Sequence, residues 1–363
     1  MSAPLTLRAI RPVAVEVPMK HALGTSQAVV RAAPLLLVDV DTEEGVTGHA
    51  YLFCYLPASA PAIAAILAEI ERVTKGDRIA PADLWKKLTK RFTLIGVQGI
   101  VRMAMSAFDV ACWDALAIAA KQPLVALLGG TPRPIRAYNS CGLGLMEREA
   151  LAREAIELLE GGFRAVKLRL GYPTLDEDIA AVHAVRKVLP AGVEIMVDYN
   201  QALSVAEALH RGRALDAEGI YWLEEPIRHD DYRGNARLAR SLATPVQIGE
   251  NFSLPHGMQE ALSQSACDYA MPDLERIGGV SGWLRAASLA AAHGIEMSSH
   301  LFPEVSAHLL AVTPTAHYLE YVDWAAPILA EPIAIADGHA IIPERPGNGL
   351  AWNREAIERY RLR

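Results

Sequence analysis

Apolar positions along the chain change their period twice. The opening stretch "LTLRAIRPVAVEVP" has strand character, and "PLLLVDVDTEEGVTGHAYLF" reads as a hairpin turning at "DTEEG". Helical spacing then takes over, from about Pro57 to Lys75, Pro81 to Phe92 and Gly99 to Ala120. Between the first strand and the hairpin lies "MKHALGTSQAVVRAA", with a Gly, a Thr-Ser pair and scattered apolar residues. It reads as a long mobile loop, and a loop of that length inside a compact domain is often functional.

"LGGTPRPIRAY" breaks the pattern with two glycines and two prolines, which marks a domain boundary. Beyond it, short apolar runs alternate with amphipathic helices. The runs are "IRAYNS", "AVKLRL", "EIMVDYN", "IYWLEEP", "PVQIGEN", "YAMPD", "IEMSSH" and "HYLE". Alternation of this kind gives right-handed βαβ units and a parallel sheet. Eight units over roughly 190 residues predict an α/β fold of the (β/α)8 barrel type, compact for that architecture. The expected organisation is an α+β domain over 1–130, the barrel over 131–322, and a Pro- and Gly-rich segment over 323–363 that packs back on the first domain.

Composition narrows the function. A chain of 363 residues with 52% hydrophobic content suits two domains with large cores. The net charge is −7, and no basic tract or aromatic–basic interleaving points to nucleic acid. Cys54, Cys112, Cys141 and Cys267 lie far apart without C-x-x-C spacing, which argues against a zinc site or disulfides and for a reduced, cytoplasmic setting. "MSAPLTLRAIRPVAVEVP" lacks the basic start and apolar core of a signal peptide. "APAIAAILAEIERV" is a short amphipathic helix, and no membrane span is expected.

The chemistry lies at the strand ends. Lys167 and Arg169 stand two apart on the second barrel strand, so both face one side and call for an anion there. Asp198 and Asn200 end strand three, Glu224 strand four, Glu250 strand five, Asp273 strand six, His300 strand seven and Glu320 strand eight. Steps of 26, 26, 23 and 27 from Asp198 to His300 put them on one barrel face, the C-terminal one that carries active sites. Asp198, Glu224 and Glu250 would repel one another unless a cation sat between them, and an all-oxygen set favours a hard ion such as Mg²⁺. A helix N-cap would explain any one of these acids, but not three at matched strand ends. Asp273 beside His300 would orient the imidazole and raise its basicity. His293, near a helix C-terminus, reads as a cap. Lys167 and Arg169 could also be a structural counter-charge to Asp198 and Glu224.

With "FRAVKLRLGYP", "IMVDYNQ", "EEP", "GEN", "MPD", "IGGVSGW", "MSSHLF" and "TPTAHYLE", the chain closely resembles the enolase superfamily and, within it, the mandelate racemase subgroup. The resemblance implies that residues 1–130 cap a modified barrel. It implies Mg²⁺ on Asp198, Glu224 and Glu250, with His300 as general base beside Asp273. Lys167 would neutralise the substrate carboxylate, and Glu320, as a protonated acid, would hydrogen-bond it as it becomes an enolate. Ser140 and Asn200 would be polar substrate contacts. Leu23, Val30, Phe53 and Tyr55 match apolar positions of the subgroup's pocket, with Lys20 and Gln27 adding polarity to the lid. A small 2-hydroxy carboxylate substrate and a homo-oligomer are also implied.

The departure is Arg169, where the subgroup usually has Lys-x-Lys. Arginine stays protonated and makes a poor base. The leading expectation is α-proton abstraction with racemisation of a mandelate-like acid. A dehydratase acting on acid sugars or hydroxy acids through the Asp273–His300 pair is the alternative that Arg169 favours. A carboxylate-binding barrel without catalysis is the third.

Overall fold

The computed structural model describes residues 4–26 and 28–362. The first domain is a three-stranded antiparallel sheet with helices against it. Its strands β1 (Leu7–Gly24), β2 (Val29–Thr42) and β3 (Thr47–Phe53) pair in sequence order. The central strand β2 is buried at every position from Ala33 to Thr42, because it has a neighbour on each edge and helices over the sheet. The helix Gly99–Ala119 packs closest. A Cβ on Gly48 of β3 would lie 2.0 Å from the Ala111 carbonyl oxygen, so only glycine lets the two backbones approach.

One expectation is corrected here. "MKHALGTSQAVVRAA" is not a loop: β1 continues to Gly24, β2 begins at Val29, and Leu23 pairs with Val30. The ribbon's register slips between Pro18 and Leu23, which erases the two-residue alternation that marks a strand.

The helix Gly99–Ala119 also joins the two parts of the molecule. Its buried Asp109 accepts hydrogen bonds from Ser281 N (2.9 Å) and Oγ (2.6 Å) on the helix Gly279–His293. Its buried Asp114 accepts from His49 N (2.7 Å) and Asn348 N (2.6 Å).

All eight expected barrel strands form, in the expected order. They are β4 (Ile135–Asn139), β5 (Ala165–Arg169), β6 (Glu194–Asp198), β7 (Leu223–Glu224), β8 (Val246–Ile248), β9 (Tyr269–Ala270), β10 (Glu296–Met297) and β11 (Leu319–Tyr321). They pair in parallel from β4 to β10, β11 pairs back on β4, and a bridge between Met297 and Ala316 closes the ring. Arg169 is in register with Asp198, and Asp198 with Glu224, so these strand ends share one level.

The C-terminal segment divides its packing. Its hairpin, β12 (Ala334–Ala336) and β13 (His339–Ile341), pairs with β4 and so extends the barrel sheet, unlike the expected return to the first domain alone. The remainder does return there: Trp352 Nε1 donates to Asp39 (2.7 Å) and Leu362 N to the Ala14 carbonyl (3.0 Å). Among the described residues, no helix is long and apolar enough to cross a membrane.

Candidate active site

The C-terminal ends of the barrel strands and the tip of the β1–β2 ribbon enclose a cavity of about 310 Å³. Lys167, Arg169, Asp198, Asn200, Glu250, His300 and Glu320 line its deep end, and Leu23, Val30, Phe53, Tyr55, Leu56 and Trp324 its mouth. Leu56 and Trp324 were not anticipated; Trp324 comes from the C-terminal segment and meets the Phe53 ring at a tilt of 44°, centroids 5.0 Å apart. Lys20 points outward toward Glu160 (3.8 Å), and Gln27 lies outside the described residues.

Strained backbone aims these side chains. Asn200, Gln201 and Glu225 hold left-handed φ angles just beyond β6 and β7, and Leu301 and Phe302 do so directly after His300. Gly249, at φ +138°, precedes Glu250; a Cβ there would sit 2.6 Å from the Phe252 ring. Asp273 caps the short helix Leu274–Ile277, where Oδ1 accepts from the amides of Glu275 (2.7 Å) and Arg276 (3.2 Å). That leaves Oδ2 to bond His300 Nδ1 at 2.6 Å. The acid is both a cap and the partner of the imidazole.

Lys167 stands among the acids. Its Nζ lies 2.6 Å from Glu224 Oε1, 2.7 Å from Glu320 Oε1 and 3.4 Å from Asp198 Oδ2. Burial pulls its pKa down, but these three carboxylates outweigh it and raise the pKa. Burial pushes Glu224 up to about 8, with Asp198 and Glu320 adding to the rise against the pull of Lys167. Glu320 goes the other way. Burial would raise it, yet Lys167, His300 and the Leu301 amide (2.9 Å) hold it well below the usual carboxylate range. His300 rises to about 9, because Glu320, Glu250 and Asp273 together outweigh its burial. Its Nε2 lies 3.3 Å from Glu250 Oε2.

Arg169 does not pair with these acids. Nη1 donates to the carbonyls of Gly142 (2.8 Å), Ser140 (3.1 Å) and Lys167 (3.4 Å), and Nη2 to Ser140 Oγ (2.7 Å). Ser140 is fully buried against the guanidinium. Asn200 does line the cavity, and its N and Nδ2 donate to the two oxygens of Asp198 (2.8 and 3.1 Å).

Asp198 and Glu224 end β6 and β7 and Glu250 follows β8 by two residues, but among the described residues no three His, Cys, Asp or Glu side chains are drawn together as a metal site. Glu224 is held by Lys167, and Glu250 by Asn251 Nδ2 (2.8 Å) and His300. The donor set nonetheless fits a hard dication. It is all oxygen, and the buried Asp198 and Glu224 share a single lysine between them.

Comparison with known proteins agrees with this architecture. Residues 7–129 match the mandelate racemase / muconate lactonizing enzyme N-terminal domain, and residues 150–356 the enolase C-terminal domain-like family. The L-talarate/galactarate dehydratase of Salmonella typhimurium is 30% identical over 96% of this chain and 88% of its own. The magnesium-bound crystal structure of an enolase from the alpha proteobacterium bal199 shares 44% identity at a TM-score of 0.97, over 99% of this chain and 100% of that one. An enolase from Bradyrhizobium, complexed with magnesium and mandelic acid, shares 40% identity at a TM-score of 0.96, with all of both chains covered. Two domain matches that together span most of the sequence, over the same cap and barrel, make the chain a member of the enolase superfamily in its mandelate racemase subgroup.

Proposed function

We propose that this protein is a Mg²⁺-dependent dehydratase of 2-hydroxy carboxylates that carry a β-hydroxyl, working with a single base. The observation that carries the reading is the contrast between the two groups flanking the cavity. His300 is aligned by Asp273 at 2.6 Å, whereas both terminal nitrogens of Arg169 are anchored to backbone carbonyls and Ser140 and leave only its buried Nε without a partner among the described residues. One face therefore has a proton acceptor, and the other a fixed cation. The curated relatives are acid-sugar dehydratases and cycloisomerases, which supports the same reading.

Asp198, Glu224 and Glu250 would hold Mg²⁺, which would supply Lewis-acid stabilisation of charge on the substrate carboxylate. Lys167 meets the charge that grows on the carboxylate oxygens as the α C–H bond breaks. His300 Nε2 takes the α-proton. The Cβ–O bond then breaks, and His300 returns its proton to the leaving hydroxyl, so water departs and an enol remains. Tautomerisation gives the 2-keto acid. Asp273 holds the imidazole by Nδ1 throughout.

Racemisation is the second reading. It is favoured by the apolar mouth of Leu23, Val30, Phe53 and Tyr55 and by the mandelic acid complex of the Bradyrhizobium relative. Proton NMR in deuterium oxide with Mg²⁺ separates the two. The dehydratase reading expects 2-keto acid from 2,3-dihydroxy acids and α-proton exchange on one mandelate enantiomer at most. Interconversion of both enantiomers would replace it with racemisation. The four cysteines are free and buried, and a cytoplasmic homo-oligomer completes the proposal.

A further inference from the structure

Below the carboxylates the barrel is filled with rings. Trp222 is fully buried at the centre, edge-on to Tyr138 (5.3 Å, 84°) and Tyr318 (5.8 Å, 72°), with Tyr221 at 5.4 Å and His317 at 5.7 Å. Packed rings of this kind leave the indole no room to turn. Trp222 immediately precedes β7 and stands two residues before Glu224, a spacing that puts two side chains of an extended chain on the same side.

The two are joined. Trp222 Nε1 donates to Glu224 Oε2 at 2.9 Å, while Lys167 Nζ donates to Oε1 at 2.6 Å. Each oxygen thus has its own donor, and the carboxylate is fixed against rotation about its last bond. Among the described residues no other donor reaches Oε2. The two donors differ in kind. Lys167 is an ammonium shared by three acids, whereas the indole N–H is a single donor on a rigid ring that cannot accept.

We propose that Trp222 is a positioning residue for the metal. It holds the Glu224 carboxylate in one orientation through Nε1, so that Mg²⁺ meets a preset ligand. The inference rests on the metal reading above and adds that the aromatic floor of the barrel, and not only the strand ends, sets metal affinity. Groups that orient metal ligands are commonly worth 10- to 100-fold in affinity.

Isothermal titration with MgCl₂ tests this on three forms of the full chain: wild type, Trp222→Phe, and the chain carrying benzothienylalanine at 222. That last side chain keeps the indole's shape and puts sulfur in place of the N–H. Melting curves are taken in parallel. The expected result is a Kd for Mg²⁺ raised roughly tenfold in both variants. Turnover at saturating Mg²⁺ should largely return, a split that a packing defect does not give. Wild-type affinity in the isosteric form overturns the inference, whatever the Phe variant does to melting. A wild-type chain that takes up no Mg²⁺ overturns the metal reading itself, and the inference falls with it.

Discussion

Arg169 and Ser140 are bound to each other twice: Nη1 donates to the Ser140 carbonyl at 3.1 Å and Nη2 to its Oγ at 2.7 Å. The cation is matched by main-chain dipoles at the end of β4 rather than by the acids beside it. A guanidinium presents several donors in a fixed plane, and this site uses that plane. A lysine in its place has one compact head and cannot reach the same set.

Arg169→Lys should therefore lose stability without gaining a second base. Carbonyls left without donors at a buried strand end cost about 1–3 kcal/mol. We expect a lower melting temperature and α-proton exchange still confined to one face. Exchange on both faces, followed by NMR in deuterium oxide, would restore racemisation.

The Asp273–His300 pair gives a cleaner separation of roles. Asp273→Asn keeps an oxygen to cap the helix Leu274–Ile277 and removes the anion facing Nδ1. The expected outcome is a loss of exchange rate of roughly 10²–10⁴-fold, with Mg²⁺ affinity and melting close to wild type. His300→Asn should abolish exchange while leaving Mg²⁺ binding intact. Unchanged exchange in either variant removes the pair from the mechanism.

How much of this was legible in the sequence depends on the distance over which each feature is encoded. The strand ends were, because a βα unit repeats at a nearly constant length and its polar last residue interrupts an apolar run. Even β7, only Leu223–Glu224 long, was visible through the Glu224 that ends it. The outer half of the β1–β2 ribbon was not, since its register slip and the Gly24–Thr25–Ser26 stretch imitate a loop. Ser140 and Arg169 stand 29 residues apart, and nothing local says that they meet. Trp324 lies in a Pro-rich stretch whose path back over the cavity only the packing of β12 and β13 reveals. The Trp222–Glu224 contact is encoded locally, as an i, i+2 pair whose side chains share a face wherever the chain is extended.

The joint between the two parts of the molecule should carry a pH signature. Burial raises Asp109 to about 7, above an unfolded value near 3.9. A carboxyl with a raised folded pKa contributes stability that is full below about 4 and is lost as pH climbs through about 7. Asp109→Asn removes that titration, and an amide can still accept from Ser281 N and donate to Ser281 Oγ. The variant's melting temperature should gain on wild type between pH 5 and pH 8. A difference that stays flat across that range would mean Asp109 titrates as an ordinary exposed acid.

The wall over the cavity depends on a contact between two glycines. The Leu145 amide donates to the Gly24 carbonyl at 2.8 Å, and a Cβ on Gly144 would lie 2.4 Å from the Gly24 nitrogen. Ser26 Oγ adds a bond to the Tyr199 carbonyl at 3.2 Å, so the ribbon tip is held to the barrel at two points. Gly144→Ala forces the tip away from the first of them. Because Leu23 and Val30 sit at that tip, the substrate loses part of its apolar wall while His300 and the acids stay in place. Weakening closure by about 1.4 kcal/mol raises KM about tenfold. We expect that rise with kcat and the melting temperature little changed, measured by steady-state kinetics beside a thermal melt. A fall in kcat at constant KM would instead place the Gly24–Gly144 contact in the support of the catalytic groups.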